Sequence, residues 1–168
     1  MAEPDQTKYP DPSEGTRLVV SPGNIEIGRG AIEKIGEYAD VYGSKALVVT
    51  TEDLYGFYGD QVVEILEDAG VETAVFDGVR PDPTVENIED GYEVWEQEDC
   101  DVIVTLGGGS SIDTGKGIGI IASNEGEIRD FGVDKAGYEG VPKPTPPTIS
   151  INTTAGTGSE ATRSVVVT

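Results

Sequence analysis

Residues 102–116 are VIVTLGGGSSIDTGK, and this stretch decides the fold. The apolar run from Val102 to Leu106 predicts a buried strand, and the segment from Ile112 to Ala122 predicts a helix. Three glycines and two serines join them. Glycine leaves backbone N–H groups uncovered, and a helix start adds free N–H donors and a partial positive charge. The stretch therefore predicts a site for a phosphate group, such as that of a nucleotide.

Two known phosphate motifs fit this chain poorly. The P-loop requires Gly-x-x-x-x-Gly-Lys-Ser/Thr, but the residue five before Gly115 is Ser110, and Gly117 follows the lysine. The fingerprint Gly-x-Gly-x-x-Gly/Ala occurs only over residues 156–161, with no convincing helix after it. A tight strand-to-helix turn without any ligand remains the alternative explanation of the three glycines.

Apolar runs and helical periodicities alternate along the rest of the chain, which predicts an α/β fold. We expect a Rossmann-like parallel sheet with helices on both faces and ligands at the carboxyl ends of its strands. Turn residues Ser21-Pro22-Gly23-Asn24 also predict a small N-terminal hairpin of residues 17–20 and 25–27. The predicted strands are 45–50, 71–76, 148–151 and a strand beginning at 164, and the predicted helices are 31–41, 60–69 and 84–97.

The domain organisation follows from length and composition. The 168 residues suit one domain: residues 1–16 are polar and expected to be loose, and residues 17–168 are expected to form the dinucleotide-binding domain. Residues 125–147 are rich in Gly and Pro and predict a long surface loop, either a flap over the site or a plain connector. Residues 152–160, NTTAGTGSE, combine hydroxyls with glycines. Such a loop suits a phosphate or a nicotinamide amide, although a simple Thr/Gly turn is the alternative.

Charge and cysteine content restrict the partners. Acidic residues number 32 against 11 basic ones, a formal charge of −21, which disfavours nucleic acid and anionic membranes. The acids are a solvated surface or, more specifically, an adaptation to high salt in a halophile. Cys100 is the only cysteine and is expected to pack as a small hydrophobic residue, since the chain has no histidine to activate it. No signal peptide or membrane span is visible, so a cytoplasmic protein is expected.

Three motifs in order give the chain a family resemblance. They are Pro81-Asp82-Pro83-Thr84, the glycine turn with Asp113 and Lys116, and residues 153–160, TTAGTGSE. With these motifs the chain, from Arg17 to Thr168, resembles the iron-containing (group III) alcohol dehydrogenases. That family has an N-terminal α/β nucleotide-binding domain and a C-terminal helical domain. The helical domain supplies an aspartate and three histidines to a catalytic divalent metal, usually iron and sometimes zinc.

The resemblance implies a role for each motif in binding NAD or NADP. The pyrophosphate would lie on Gly107, Gly108, Gly109 and Ser110. Asp113 would lie near the nicotinamide and the substrate, and Asp82 near the adenosine. The remaining cleft residues would be Thr153, Thr154 and Thr157.

Two positions depart from the family pattern. Members that prefer NAD often carry an aspartate just after the second strand of the family fold, where this chain has Thr51, so both NAD and NADP stay open. The family's usual proline before the Thr-Thr pair is Asn152 here, which would change the stiffness of the loop and not its chemistry.

The resemblance also implies what the intact protein does. It would transfer hydride between a small alcohol or aldehyde and the cofactor, using Fe²⁺ or Zn²⁺, as a homo-oligomer. Without histidine the chain cannot form the three-histidine site, so we expect the helical metal-binding domain to be absent from it and the isolated chain to be inactive. No catalytic residue and no metal ligand is assigned within it. The alternatives are a relative like dehydroquinate synthase or glycerol dehydrogenase, or a non-catalytic nucleotide-binding module.

Overall fold

A four-stranded parallel sheet forms the centre of the molecule, in the strand order β2-β1-β3-β4. The computed structural model describes residues 23–132, 135, 141–162 and 164–168. Apolar runs form the two central strands because both of their faces are covered. The strands are β1 (Lys45–Val49), β2 (Glu72–Phe76), β3 (Val102–Gly107) and β4 (Thr148–Asn152).

Helices cover both faces of this sheet, as predicted. On one face α1 and α3 pack against alternate strand residues, such as Val48 and Val104. On the other face α4 and α5 pack against the intervening residues, such as Leu47 and Ile103. The helices are α1 (Ile35–Tyr42), α2 (Glu52–Leu54), α3 (Asp60–Asp68), α4 (Val85–Gln97) and α5 (Gly109–Ser123), with 3-10 turns at Ala31–Lys34, Ile128–Phe131 and Ser159–Ala161.

Three elements differ from the sequence-based expectation. Helix α5 begins at Gly109, three residues earlier than predicted. A π-helical turn, Tyr55–Gly59, joins α2 to α3, so residues 52–68 are helical where only 60–69 was predicted. The strand predicted from residue 164 does not form: residues 164–168 lie outside the sheet, and their apolar side chains Val165 and Val167 pack against the core beside α4 and α5.

The remaining expectations concern segments with little described structure. Residues 1–16 and the first arm of the predicted hairpin, 17–20, lie outside the described residues, whereas residues 25–27 form an irregular segment. Among the helices that the structure describes, none has both the length and the apolar character needed to cross a bilayer.

The strand order places a crevice at the carboxyl ends of β1 and β3. The chain passes from β1 outward to β2 and then returns to β3 on the other side of β1, so the connections diverge at these two strands. Open α/β sheets bind ligands at such a switch point. Here Thr50 and Leu106 join the two strand ends, because the buried Thr50 hydroxyl donates to the Leu106 carbonyl at 2.8 Å.

Candidate functional site

The glycine turn lies at this switch point, and its first two glycines are required by packing. Gly107 has φ +152°, and a Cβ there would collide with the hydroxyl of Ser111. A Cβ on Gly108 would lie 2.7 Å from Oγ1 of Thr154. Since protein side chains already fill the space over both glycines, their lack of side chains is partly architectural. The space for a ligand therefore lies further along the turn.

The first turn of α5 retains free donors for an anion. Its N-cap residue, Gly108, makes no capping hydrogen bond. Among the described residues, the backbone N–H groups of Gly109 and Ser110 have no backbone acceptor outside the helix, and N–H groups of a first turn have none within it. The nearest atom to a Cβ on Gly109 would be Oγ of Ser159, at 3.3 Å. Gly109 is therefore less crowded than Gly107 and Gly108. The geometry fits a phosphate at Gly109 and Ser110.

The threonine-rich loop lies directly beside the glycine turn. The Thr153 N–H donates to the Gly107 carbonyl at 3.0 Å, which fixes the two loops to each other. Asn152 accepts from the Thr154 N–H at 3.1 Å, so a side-chain hydrogen bond orders the loop where the family usually has proline. The three predicted residues of the loop, Thr153, Thr154 and Thr157, are exposed.

Asp113 and Lys116 fasten the chain after this loop to α5. The ammonium of Lys116 donates to the carbonyls of Ser159, Thr162 and Ser164, the last two at 2.9 and 3.1 Å. Burial lowers the pKa of Lys116, although the Asp113 carboxylate opposes this effect. Oδ2 of Asp113 accepts from the Val166 N–H at 3.2 Å.

The second carboxylate oxygen of Asp113 is ion-paired with Lys116. Asp113 is only 5% exposed, and its Oδ1 has no hydrogen-bond partner among the described residues. Lys116 Nζ lies 3.7 Å from it, which is an ion-pair distance and too long for a hydrogen bond. A buried acceptor without a hydrogen-bond donor is costly, and the neighbouring Lys116 ammonium offsets part of that cost.

Asp113 lines a cavity of about 200 Å³, and Asp82 lines the same cavity. The Thr168 N–H and hydroxyl donate to the carbonyls of Pro83 and Asp82 at 3.0 and 3.2 Å, which draws these residues toward the start of α5. The resemblance placed Asp82 near the adenosine and Asp113 near the nicotinamide, and both residues line this one small cavity. The cavity is lined by Asp82, Pro83, Gly109, Ser110, Asp113, Val166 and Thr168.

Thr51 lies at the other side of the switch point, at the end of β1. Its hydroxyl accepts from the Leu54 N–H at 3.3 Å and caps α2. The next two residues, Glu52 and Asp53, are exposed in the first turn of the helix. The site thus brings the glycine turn, Asp82, Asp113 and the threonine loop together, with Thr51 on the adjoining strand.

Two further features lie outside this site. A second cavity, of about 580 Å³, lies at the opposite end of α5 between Tyr92, Asn124 and Lys143. None of the predicted site residues lines it, and it is remote from the switch point, so we assign it no role. Burial raises the pKa of the Cys100 thiol to about 11, which agrees with a packing role for this residue.

A metal ion does not fit the residues present. The chain has no histidine, and the described residues contain no group of three or more His, Cys, Asp or Glu side chains arranged to bind a metal. We therefore derive no step through iron or zinc from this chain.

Sequence reasoning missed two residues that order the site. Lys116 was noted only as part of a motif, because the carbonyls that it binds lie 43 to 48 residues further along the chain. Asn87 was not noted at all, although it is 1% exposed and binds the loop after β2. An amide in the apolar first turn of a predicted helix was the signal available for it.

Comparisons with known proteins identify the family of this chain. Residues 22–168 match the family model of iron-containing alcohol dehydrogenase. The 1,3-propanediol dehydrogenase of Klebsiella pneumoniae is 46% identical over 145 residues, which are 84% of this chain and 36% of that protein. The NAD-dependent methanol dehydrogenase of Bacillus methanolicus is 40% identical over 155 residues, 91% of this chain and 39% of that protein.

A solved structure gives the same result. That of a 1,3-propanediol oxidoreductase matches with a TM-score of 0.85 at 43% identity, covering 92% of this chain and 40% of its own. The chain thus spans between 36% and 40% of the length of these three relatives.

Proposed function

This chain belongs to the iron-containing alcohol dehydrogenase family, and we propose that it is the part of such an oxidoreductase that binds NAD or NADP. The observation that carries the proposal is the start of α5 at the switch point, where backbone N–H groups are left without an acceptor among the described residues. There the N–H groups of Gly109 and Ser110 lack a backbone acceptor outside the helix and lie beside a small cavity that Asp82 and Asp113 also line.

Each group of residues has a distinct task in this proposal. The pyrophosphate accepts from the N–H groups of Gly109 and Ser110, where the macrodipole of α5 favours negative charge. Thr153, Thr154 and Thr157 supply hydroxyls on the adjoining loop. Asp113 fixes the chain beside the cavity, because its Oδ2 accepts from the Val166 N–H. When bound, the nicotinamide ring supplies hydride chemistry.

The substrate of the whole protein is a small alcohol or aldehyde in this proposal. Its support is that two relatives are a 1,3-propanediol dehydrogenase and a methanol dehydrogenase. Because this chain has no histidine, we expect the pure 168-residue chain to show no alcohol oxidation with added iron, zinc or manganese. Turnover by that preparation would contradict this part of the proposal.

Titration of the 168-residue chain with NADH and NADPH, followed by nicotinamide fluorescence, tests the proposed site. A Cβ in Gly109→Ala enters the proposed space of the phosphate, and its nearest neighbours are Oγ of Ser159 at 3.3 Å and Cβ and Cγ2 of Thr157 at 3.5 Å. We expect this variant to fold and to bind about tenfold more weakly, which corresponds to the loss of one charge-assisted hydrogen bond.

The matched control is Gly56→Ala, where a Cβ meets nothing within 4 Å. It should bind like the unmodified chain. Equal binding by Gly109→Ala, or no binding of either cofactor to the unmodified chain, would overturn the proposed site.

A further inference from the structure

Asp82, which lines the small cavity at the start of α5, has an unusual backbone conformation. Its φ is +53°, in the left-handed region, and Pro83 follows it. A residue before proline normally has an extended backbone, so this conformation is disfavoured twice. Among the described residues Asp99 is the other non-glycine residue with a positive φ, but it lies just after α4, where helices commonly end in this way. Contacts elsewhere in the fold must therefore hold Asp82 in place.

The segment before Asp82 is fastened to the end of β1. Thr51 and Gly78 form an isolated antiparallel β-bridge. The Val79 N–H donates to the Thr50 carbonyl at 3.1 Å. These contacts fix the start of the segment, but they end three residues before Asp82.

The side-chain amide of Asn87, in the first turn of α4, holds the middle of the segment. Asn87 is 1% exposed. Its Oδ1 accepts from the Arg80 N–H at 3.1 Å, and its Nδ2 donates to the Gly78 carbonyl at 2.8 Å. A buried amide is costly unless its hydrogen bonds are made, and here both polar atoms of the amide bind this one segment.

Two prolines extend the effect of this amide to Asp82. Pro81 and Pro83 flank Asp82, and each ring fixes its own φ near about −65°. Arg80, which precedes the first proline, is restricted to extended conformations. Few torsion angles are therefore free between the Arg80 N–H, which Asn87 binds, and the start of α4. The position of the amide determines where the carboxylate of Asp82 lies relative to α5.

From these contacts we infer that Asn87 is a positioning residue of the cofactor site, which acts through the loop to hold the carboxylate of Asp82 at the cavity. The inference rests on the proposed function. A carboxylate accepts hydrogen bonds, and NAD and NADP both carry ribose hydroxyls that can donate them. At this cavity such a hydroxyl would lie next to the phosphate at Gly109 and Ser110. Asn87 is not among the residues that line the cavity, so its effect on binding must be indirect.

A double-mutant cycle on the 168-residue chain tests the inference. The affinity for the more tightly bound of NADH and NADPH is measured by nicotinamide fluorescence. We expect Asn87→Ala to weaken binding about tenfold, because Asp82 is no longer held. Asp82→Gly removes the carboxylate, and glycine adopts the positive φ without strain, so its loss should be of similar size. The double variant should bind no more weakly than Asp82→Gly alone, because both changes remove the same contact with the cofactor.

Two further variants separate positioning from general destabilisation. Ile88→Val is the matched control: Ile88 follows Asn87 on α4 and is fully buried, so the change lowers the thermal midpoint but leaves the amide in place. We expect it to bind like the unmodified chain. Asn87→Leu keeps the buried volume and loses the same two hydrogen bonds, so it should bind as weakly as Asn87→Ala, and it carries the test if the alanine variant does not fold.

Several results would overturn the inference and leave the proposed function standing. These are unchanged binding by a folded Asn87 variant, no loss in Asp82→Gly, and a loss from Asn87→Ala that is equally large with and without the Asp82 carboxylate. An equal loss in Ile88→Val would also overturn it, because binding would then follow stability alone. If the unmodified chain binds neither cofactor, the proposed function fails and the inference fails with it.

Discussion

At the scale of single residues, Lys116 shows how one buried cation orders a loop that sequence alone does not connect to it. Its three donors are matched by three backbone carbonyls from residues 159–164. Of the three residues that carry these carbonyls, Ser159 is buried, and its carbonyl would otherwise lack this donor. The burial that lowers the pKa of Lys116 is offset by these contacts and by Asp113.

Lys116→Met tests this role. The side chain keeps its apolar length but leaves the carbonyls without a donor, so we expect a loss of about 2–3 kcal/mol in the free energy of unfolding. Hydrogen exchange should rise in residues 157–164 first. Lys135→Met removes an exposed ion pair with Asp130 and should cost less than about 1 kcal/mol. Equal effects of the two substitutions would show that Lys116 is an ordinary surface lysine.

Cys100 gives a prediction for pH dependence. Burial raises the pKa of its thiol from 9.0 to about 11, so between these values the unfolded chain releases a proton that the folded chain keeps. Stability should therefore fall as pH rises from about 9 to 11, by about 1–2 kcal/mol from this group.

Urea unfolding at several pH values measures this effect. The difference between the unmodified chain and Cys100→Ala isolates it, because other groups titrate alike in both. A difference that stays constant from pH 8 to pH 11 would contradict the burial argument.

The glycine turn could be predicted from sequence because its signal is local. A buried strand that ends in three glycines restricts the chain to few conformations, and the strand does turn into a helix there, although the helix begins three residues earlier than predicted. The side chains over the turn, such as Thr154, come from a loop more than 40 residues away. Sequence gives the residue types in that loop but not which of them faces which glycine.

At the scale of elements, helix α5 is built to lie close to its neighbours. Gly115 and Gly117 remove side chains on two sides of this helix. A Cβ on Gly115 would collide with Thr105 of β3, and one on Gly117 would lie 2.5 Å from Cδ1 of Ile88 on α4. Three glycines within five residues would be poor for an isolated helix, so packing determines this element.

Gly117→Ala is expected to destabilise the protein. The added methyl group gains about 1 kcal/mol of helix propensity but overpacks the contact with Ile88, for a net loss of about 1–2 kcal/mol. Thermal unfolding measures the change. Gly56→Ala, which meets nothing within 4 Å, should cause no loss and serves as the control. A Gly117→Ala variant as stable as this control would show that α4 and α5 lie further apart than described.

The elements that sequence reasoning missed have weak or misleading local signals. Residues 55–59, YGFYG, contain two glycines and no amphipathic period, yet they continue the helix as a π turn. Gly59 makes this possible because the ring of Tyr55 lies where its Cβ would be. Residues 164–168 are rich in valine and suggest a strand. In the structure their backbone donors instead bind Asp113 and Pro83.

At the scale of the whole molecule, the sheet topology could be predicted from the sequence. The charge distribution separately affects the stability of the folded chain. Strand–helix alternation determines a parallel sheet with few possible orders, and the structure has one of them. The sheet topology does not determine the formal charge of −21, because the charged residues lie outside the two core clusters. A compact state with this charge repels itself more than the unfolded chain does.

We therefore expect KCl to stabilise the folded chain. Because the screening length falls to about 10 Å at 0.1 M and about 3 Å at 1 M, most of the gain should occur below about 1 M salt. Urea unfolding at increasing KCl concentrations measures it as a rise in the transition midpoint.

A variant with three exposed acids of α3 neutralised, Glu64→Gln, Glu67→Gln and Asp68→Asn, should need less salt to reach the same midpoint, because it repels itself less. Equal stability of the unmodified chain in dilute buffer and in 1 M KCl would show that self-repulsion is negligible. The acids would then be an ordinary solvated surface, and the interpretation of the composition as an adaptation to high salt would be wrong.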